Sequence, residues 1–148
     1  MDDHGIFMER AFAQAKKSAG EGGVPVGACL VHNGVVIAEG HNRRKQEETL
    51  ILHGETDCLR NAGLFPHLSE STLYTTLSPC MMCAGTIVQF RIPRVVIGEN
   101  RNFGGNEDFL RSRGGRRHGT RRSRDQFLFR WLAGGKPGIM GRRYRSVS

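Results

Sequence analysis

The pattern of apolar residues along the chain predicts an α/β fold, in which strands and helices alternate. Apolar side chains recur at helical spacing over about residues 6–19. Two short apolar runs then flank the dipeptide Asn33-Gly34. Further on, a strand-like, a helix-like and a second strand-like segment follow one another between residues 72 and 98. These three observations indicate a sheet packed against helices.

The first half of the chain predicts a helix followed by a hairpin. The helix over about residues 6–19 is expected to end at the glycine-rich stretch 20–23. Residues 28–31 and 35–38 are predicted strands, joined by a turn at His32-Asn33-Gly34. Asn-Gly between two apolar runs is a strong hairpin signal, so the two strands should be antiparallel.

The second half predicts two helices and two further strands. A helix is expected at about residues 52–62, a loop at 63–71 and a β-rich strand at 72–77. Ser78 suits the N-cap and Pro79 the first turn of a helix that continues to residue 90. Apolar residues cover more than one face of that helix, which indicates burial on two sides, against the sheet and against a partner subunit. Residues 95–98 form a short apolar run of the buried parallel kind, followed by a polar loop to 106 and a helical turn at 107–111.

Two short segments supply a set of zinc ligands, His53-Gly54-Glu55 and the stretch from Ser78 to Cys83. Zinc prefers four tetrahedral ligands, and a catalytic site keeps one of the four positions open for water. Cys80 and Cys83, three residues apart on a helix, have Cβ atoms roughly 5–6 Å apart. The positive end of the helix dipole favours their ionised, metal-binding form. The spacing therefore predicts His53, Cys80 and Cys83 as ligands of a catalytic Zn²⁺.

Glu55 lies two residues after the predicted histidine ligand. A carboxylate beside a zinc site can take a proton from water and later give it to a substrate, so Glu55 is predicted to be the general acid and base. A redox pair and a structural zinc site are alternative interpretations of Cys80 and Cys83. The upstream His-x-Glu favours the catalytic interpretation, because a structural site would need a fourth protein ligand. The other cysteines, Cys29 and Cys58, are predicted to be buried thiols.

The length of 148 residues suits a single domain with a core of its own. No apolar run is long enough to cross a membrane, and the N-terminus lacks the features of a signal peptide. Four cysteines, two of them at a metal-type spacing, fit a reducing compartment, so a cytoplasmic protein is expected.

The net charge of +8 is unevenly distributed along the chain. Residues 1–110 contain 10 basic and 13 acidic side chains, whereas residues 111–148 contain 12 basic and 1 acidic. A basic tail of this kind can bind nucleic acid, but the body that carries the predicted zinc site is mildly acidic. A zinc-containing nucleic-acid-binding protein is therefore the alternative to an enzyme, and nucleic acid is the less favoured partner.

Asn42 follows the second predicted strand. Its amide can donate and accept hydrogen bonds, as reading the edge of a small heterocycle requires. A turn-forming asparagine is an equally good interpretation.

Taken together, these residues resemble the cytidine/cytosine deaminase superfamily, and most closely its small fungal and bacterial cytosine deaminases. The signature of zinc-dependent nucleobase deaminases is His-x-Glu followed by Pro-Cys-x-x-Cys. The resemblance runs over about residues 7–113 and includes segments outside the zinc motif. These segments are residues 21–27, Gly40-His41-Asn42, residues 73–80, residues 92–100 and Asn102-Phe103.

The resemblance implies a three-layer α/β/α sandwich with a mixed sheet of about five strands, assembled as a homodimer. It implies Zn²⁺ on His53, Cys80 and Cys83, with Glu55 as the proton shuttle. The base pocket would be lined by Asn42, Val26, Phe103 and the backbone around Gly54 and Ser78.

The expected activity is hydrolytic deamination of a free nucleobase, cytosine to uracil and ammonia. Guanine and adenine in tRNA are the alternative substrates. The related tRNA adenosine deaminases usually have His-Ala-Glu where this chain has His53-Gly54-Glu55, which favours the free base.

From Gly114 the resemblance stops, so the sequence divides into a deaminase domain at residues 1–113 and a basic tail at 114–148. In the family, the C-terminal part of the chain would supply a fifth strand, a helix and a final sequence similar to Asn-Pro-Glu-Leu-Trp. When each codon is regrouped as its last two bases plus the first base of the next, residues 136–141 can encode that final sequence. Met140 followed by Gly141 must then give tryptophan. We therefore interpret the tail as a frameshifted reading of a deaminase C-terminus.

Overall fold

The computed structural model describes residues 4–98 and 106–118, with side chains described as far as residue 113. In chain order the elements are α1 (His4–Gly20), β1 (Gly27–His32), β2 (Val35–His41), α2 (Gly54–Ala62), a short 3-10 helix (Leu68–Glu70), β3 (Thr72–Thr75), α3 (Met81–Gln89), β4 (Arg94–Ile97) and α4 (Glu107–His118). The predicted alternation of strands and helices is confirmed.

The hairpin predicted around Asn33-Gly34 is present. The backbone φ angles of Asn33 and Gly34 are 50° and 74°, the left-handed values that a tight two-residue hairpin turn requires. β1 and β2 pair antiparallel, with Gly27 opposite His41 and a register shift between Leu30 and Val31. β2 is three residues longer than predicted, which brings Gly40 and His41 into the sheet.

The described strands form one mixed sheet in the order β2-β1-β3-β4. β1 is antiparallel to β3, and β3 is parallel to β4. The parallel pair is joined through α3, as the buried apolar run at residues 95–98 predicts. β3 ends at Thr75, two residues earlier than predicted. The described ranges hold four strands; the fifth strand that the resemblance implies would fall after residue 118, outside them.

Helices cover both faces of this sheet. Successive strand residues point to opposite faces, and two apolar clusters result. On one face, strand residues pack against α1 (Cys29, Val31, Tyr74 and Val96 with Met8 and Ala11). On the other face, strand residues pack against α2, α3 and α4 (Ala28, Leu30, Leu73, Val95 and Ile97 with Cys58, Ala84, Ile87 and Leu110). The described residues therefore form the expected three-layer α/β/α sandwich.

Two helices begin later than the sequence predicts. α2 begins after an N-cap at His53, and α3 begins after an N-cap at Cys80, where φ is −70° and ψ is 175°. The prediction of Ser78 as N-cap and Pro79 as first helical residue is therefore wrong. One reason is that a proline biases the residue before it, here Ser78, towards extended backbone. The Pro79 carbonyl accepts a hydrogen bond from Asn106 Nδ2 at 2.9 Å.

α4 is longer than the helical turn predicted at residues 107–111, since it runs to His118. Its Leu110 is fully buried in the cluster that contains α2 and α3. None of the helices in the described ranges has the length and hydrophobicity that crossing a bilayer requires.

Candidate metal and catalytic centre

The three predicted zinc ligands lie together in the structure. One donor atom from each of His53, Cys80 and Cys83 lies within 4.8 Å of the other two. His53 Nδ1 is 3.4 Å from Cys80 Sγ and 3.6 Å from Cys83 Sγ. Zn–N bonds near 2.0 Å and Zn–S bonds near 2.3 Å at the tetrahedral angle separate such atoms by about 3.5 Å. The donor set and its spacing therefore fit a zinc ion.

The starts of two helices hold these donors. His53 is the N-cap of α2, Cys80 is the N-cap of α3, and Cys83 lies in the first turn of α3. Unpaired backbone N–H groups at a helix start carry partial positive charge, which favours thiolate over thiol. The helix start thus favours ionisation of both sulfur ligands, but of the two only Cys80 has a lowered pKa.

The two cysteines differ in how readily they ionise. A hydrogen bond from the Cys83 thiol, together with the His53 ring, lowers the pKa of Cys80 to about 4 despite its partial burial. The same hydrogen bond, with burial, raises the pKa of Cys83. The bond to Cys80 also raises the pKa of His53. Because metal binding requires deprotonated sulfur and neutral imidazole, loading of the site releases protons.

Glu55 faces the three donors from the first turn of α2. Its side chain is only 4% exposed. Burial raises the pKa of Glu55 to about 7, and the charge of Cys80 raises it further, whereas the His53 ring and a hydrogen bond with Cys83 act in the opposite direction. A buried carboxyl group at this position can hold or release a proton near neutral pH.

Thr56 supports the histidine and is a residue that sequence reasoning missed. The His53 backbone N–H donates to Thr56 Oγ1 at 2.8 Å, and the Thr56 hydroxyl donates to the Ile51 carbonyl at 2.5 Å. The signal in the sequence is a threonine three residues after a helix N-cap, where it can bond back to the cap. The signal was missed because the helix was predicted to begin at about residue 52, which puts His53 inside the helix, whereas His53 is its N-cap.

Three of the predicted pocket residues lie side by side. A Cβ atom added to Gly54 would lie 3.2 Å from Val26 Cγ1 and 3.3 Å from the Val26 carbonyl oxygen. The same carbonyl accepts a hydrogen bond from the Asn42 backbone N–H at 2.9 Å. Asn42 Oδ1 accepts from the Arg44 N–H at 3.0 Å, which is the turn-forming role that the sequence left open.

Ser78 has a buried hydroxyl close to the cysteines in sequence. The residue is 2% exposed, and its Oγ has no hydrogen-bond partner among the described residues. A buried polar atom without a partner is uncommon and points to a group that the described residues do not supply. Phe103, the remaining predicted pocket residue, lies outside the described residues.

Asp57 ties the loop that carries Asn42 to α2. Its fully buried carboxylate accepts hydrogen bonds from the His41 backbone N–H at 3.0 Å, from Arg43 Nε at 2.9 Å and from Arg60 at 2.8 Å. A buried charge requires such partners. The end of β2 is thereby fixed to the helix that carries Glu55.

Comparison with known proteins identifies the family. Residues 1–99 match the family model of the cytidine and deoxycytidylate deaminase zinc-binding region. The chain belongs to this family.

Individual relatives differ in the substrate that their names state. A protein of Candida albicans (strain SC5314 / ATCC MYA-2876) named cytosine deaminase is 49% identical over 106 residues, which cover 70% of this chain and 71% of that protein. A tRNA-specific adenosine deaminase of Streptococcus pyogenes serotype M18 is 35% identical over 109 residues, 71% of this chain and 69% of that protein. A solved structure from work on A-to-I editing by tRNA:A34 deaminases is 36% identical with a TM-score of 0.62, covering 66% of this chain and 77% of that one.

Family, fold and donor set agree with one another. The protein is a hydrolytic deaminase with a zinc-binding domain, and the resemblance to the cytidine/cytosine deaminase superfamily is confirmed. Its cofactor is Zn²⁺, for which His53, Cys80 and Cys83 form a suitable site.

Proposed function

We propose that the protein deaminates free cytosine to uracil and ammonia. The observation that carries this assignment is the 49% identity to a protein named cytosine deaminase, against 35% for one named tRNA-specific adenosine deaminase. Gly54 between His53 and Glu55 agrees with it, because the tRNA enzymes usually have alanine at this position.

His53, Cys80 and Cys83 are proposed to hold the zinc ion through one imidazole nitrogen and two thiolates. Zinc bound in this way lowers the pKa of a water molecule, so that water becomes a nucleophile near neutral pH. Three protein ligands would suit a catalytic and not a structural ion, because a structural zinc site is closed by a fourth protein ligand.

Glu55 is proposed to carry the proton through the reaction. Its carboxylate accepts a proton from the attacking water and gives it to the ring nitrogen beside the amino-bearing carbon. As the carbon–nitrogen bond breaks, the departing amine takes a second proton from the added hydroxyl group through the same carboxylate, and ammonia leaves. The burial of Glu55 beside the donors supports this role, because a carboxyl with a pKa near 7 both accepts and donates at neutral pH.

The base pocket is proposed to comprise Val26, Asn42, Gly54, Ser78 and Phe103. Gly54 packs closely against Val26, and a Cβ atom added to Gly54 would lie 3.2 Å from Val26 Cγ1. This packing supports a flat side of the pocket that suits a planar base. The unpartnered Ser78 hydroxyl, without a hydrogen bond to any described residue, supports a polar group that faces the substrate.

A spectrophotometric screen of the zinc-loaded protein with cytosine, guanine, adenine and cytidine tests the substrate assignment. We expect turnover of cytosine alone. Turnover of guanine or adenine without cytosine would contradict the assignment while leaving the zinc-dependent chemistry intact.

A second candidate substrate is adenosine in tRNA, which the similarity to the Streptococcus protein and to the tRNA:A34 deaminase structure favours. The basic residues 111–148 could bind an RNA backbone. Conversion of adenosine to inosine in a tRNA anticodon stem-loop, with no turnover of free cytosine, would select this candidate. RNA binding without turnover of any base would instead select a zinc-containing nucleic-acid-binding protein.

A homodimer is the proposed assembly. On α3 and at its C-cap, Met81, Met82 and Phe90 are 58%, 36% and 50% exposed, although the opposite side of this helix is buried in the core. A second copy could cover these apolar side chains. Sedimentation equilibrium should give twice the chain mass, and a monomer at micromolar concentration would contradict the proposal.

The domain proposal assigns residues 1–113 to the deaminase and residues 114–148 to a frameshifted tail. α4 runs across the proposed boundary and ends at His118. Resequencing of the source DNA tests the frame. A confirmed present frame, together with lost function on truncation, would refute the frameshift.

A further inference from the structure

A second cluster of metal-ligating side chains lies away from the catalytic centre. It consists of His32 at the end of β1, and His67 and Glu70 at the short 3-10 helix, with one ligand atom of each within 4.8 Å of the others. We propose that these three residues form a second site for a divalent transition-metal ion, with Zn²⁺ the ion expected. This proposal does not rest on the cytosine assignment.

The spacing of the three donors suits one ion. Glu70 Oε2 is 3.6 Å from His32 Nε2 and 3.9 Å from His67 Nδ1. Two donors each about 2.1 Å from a tetrahedral zinc ion are about 3.4 Å apart. The Glu70 and His67 side chains are exposed, so both can move to close the set around an ion. Two imidazoles and one carboxylate are the donors that suit zinc and its neighbours in the first transition row.

His32 supplies an independent reason to expect a ligand here. Its side chain is 11% exposed, and Nε2 is buried without a hydrogen-bond partner among the described residues. A buried ring nitrogen that lacks a partner costs free energy, and a metal bond would satisfy it. The 3.6 Å separation from Glu70 is too long for a hydrogen bond but suits two ligands of a shared ion.

The backbone and a neighbouring ring hold the two more exposed ligands in place. The His67 carbonyl accepts hydrogen bonds from the Glu70 N–H at 3.0 Å and from Ser71 Oγ at 2.7 Å. The Phe65 ring packs edge-on against both histidines, with centroid separations of 5.4 Å to His32 and 5.7 Å to His67. The backbone of this segment is therefore ordered before an ion binds, and binding would order only the exposed side chains of His67 and Glu70.

The second site is separate from the catalytic zinc. Gly27, at the start of β1, lies beside Gly54, whereas His32 is the last residue of the same strand. Six residues of strand span about 16 Å. An ion at His32, His67 and Glu70 would therefore act on stability, by joining the end of β1 to the segment before β3.

The test is the zinc content of the full-length, tag-free protein after incubation with a small excess of Zn²⁺ and removal of free ion. His67→Gln and Glu70→Gln are suitable variants, because these side chains are 52% and 65% exposed and their loss should not disturb folding. Glu9→Gln, at an exposed position of α1, is the matched control. We expect two zinc ions per chain in the wild type and the control, and one in each variant.

Thermal unfolding provides a second readout. Excess Zn²⁺ should raise the Tm of the wild type and the control more than that of His67→Gln or Glu70→Gln, because an ion that binds only the folded state stabilises it. One zinc ion per chain in the wild type would overturn the proposal. Two ions in both variants would also overturn it, since the extra ion would then be bound elsewhere.

Discussion

At the residue scale, the orientation of His53 depends on the hydroxyl group of Thr56. That hydroxyl accepts from the His53 N–H and donates to the Ile51 carbonyl, so it fixes the backbone that leads into the metal ligand. Partners of this kind commonly change metal affinity by about 10–100-fold when they are removed. Thr56 is therefore a positioning residue.

Thr56→Val should weaken zinc binding by about 10–100-fold, because the His53 N–H and the Ile51 carbonyl lose their hydrogen bonds to the hydroxyl while the side-chain volume is kept. Competition with a chromophoric zinc chelator measures the affinity. Thr56→Ser, which retains the hydroxyl, should bind zinc as the wild type does. Equal zinc affinity in all three proteins would contradict the positioning role.

The residues that could be predicted from the sequence are those whose chemistry is rare and whose spacing is short. His53, Cys80 and Cys83 are such residues, and the structure brings their donor atoms together. The hydrogen bonds of Thr56 and the unpartnered hydroxyl of Ser78 could not be predicted, because the contacts of both side chains depend on where each helix begins. The Ser-Pro signal placed the start of α3 at Ser78, whereas the chain remains extended as far as Cys80.

At the element scale, two glycines determine how closely the helices approach the sheet. A Cβ atom on Gly27 would overlap the Ala11 carbonyl oxygen of α1. A Cβ atom on Gly40 would overlap the Cys58 backbone nitrogen of α2. Gly27 lies on β1 and Gly40 on the paired strand β2. Because neither residue has a side chain, the backbone of each helix can contact its strand directly.

Gly40→Ala should destabilise the protein by about 1–3 kcal/mol or more, because the new methyl group meets backbone that cannot rotate away. Chemical denaturation followed by circular dichroism measures the change. Gly5→Ala, in α1 with nothing within 4 Å of the added Cβ, is the control and should change stability by less than about 0.5 kcal/mol. Equal stability of the Gly40→Ala variant and this control would show that α2 can move away from β2.

The elements themselves could largely be predicted, because each rests on a local pattern. Asn33-Gly34 predicts the hairpin, and the apolar run at β4 predicts its parallel pairing with β3. The close approach at Gly27 and Gly40 could not be predicted, because it depends on which helix lies over which strand. The extra length of β2 likewise depends on pairing with β1 that no local signal records.

At the scale of the whole molecule, the charge is divided between an acidic body and a basic C-terminal segment. Residues 1–110 have 13 acidic and 10 basic side chains, and residues 111–148 have 1 and 12. Electrostatic attraction to nucleic acid would therefore come from the C-terminal segment.

Deletion of residues 119–148 should abolish any binding of RNA by the full chain, while the catalytic zinc remains bound. The deletion removes 8 of the 12 basic residues in the C-terminal segment, which are the cations expected to release condensed counterions from phosphate, so the steep salt dependence should disappear with them. Fluorescence anisotropy of a labelled tRNA at several salt concentrations measures this, with zinc content determined in parallel. Undiminished RNA binding by the truncated protein would place the RNA contact on the deaminase body.

The most direct measurement is the rate of cytosine deamination by Glu55→Gln at a zinc content equal to that of the wild type. The substitution keeps the volume of the buried side chain but removes the group proposed to carry the proton. We predict that kcat falls on the order of 10²–10⁴-fold, while zinc content and Tm stay close to those of the wild type and of the exposed control Glu9→Gln. Undiminished kcat in Glu55→Gln, with zinc bound, would contradict the assignment of Glu55 as the proton carrier.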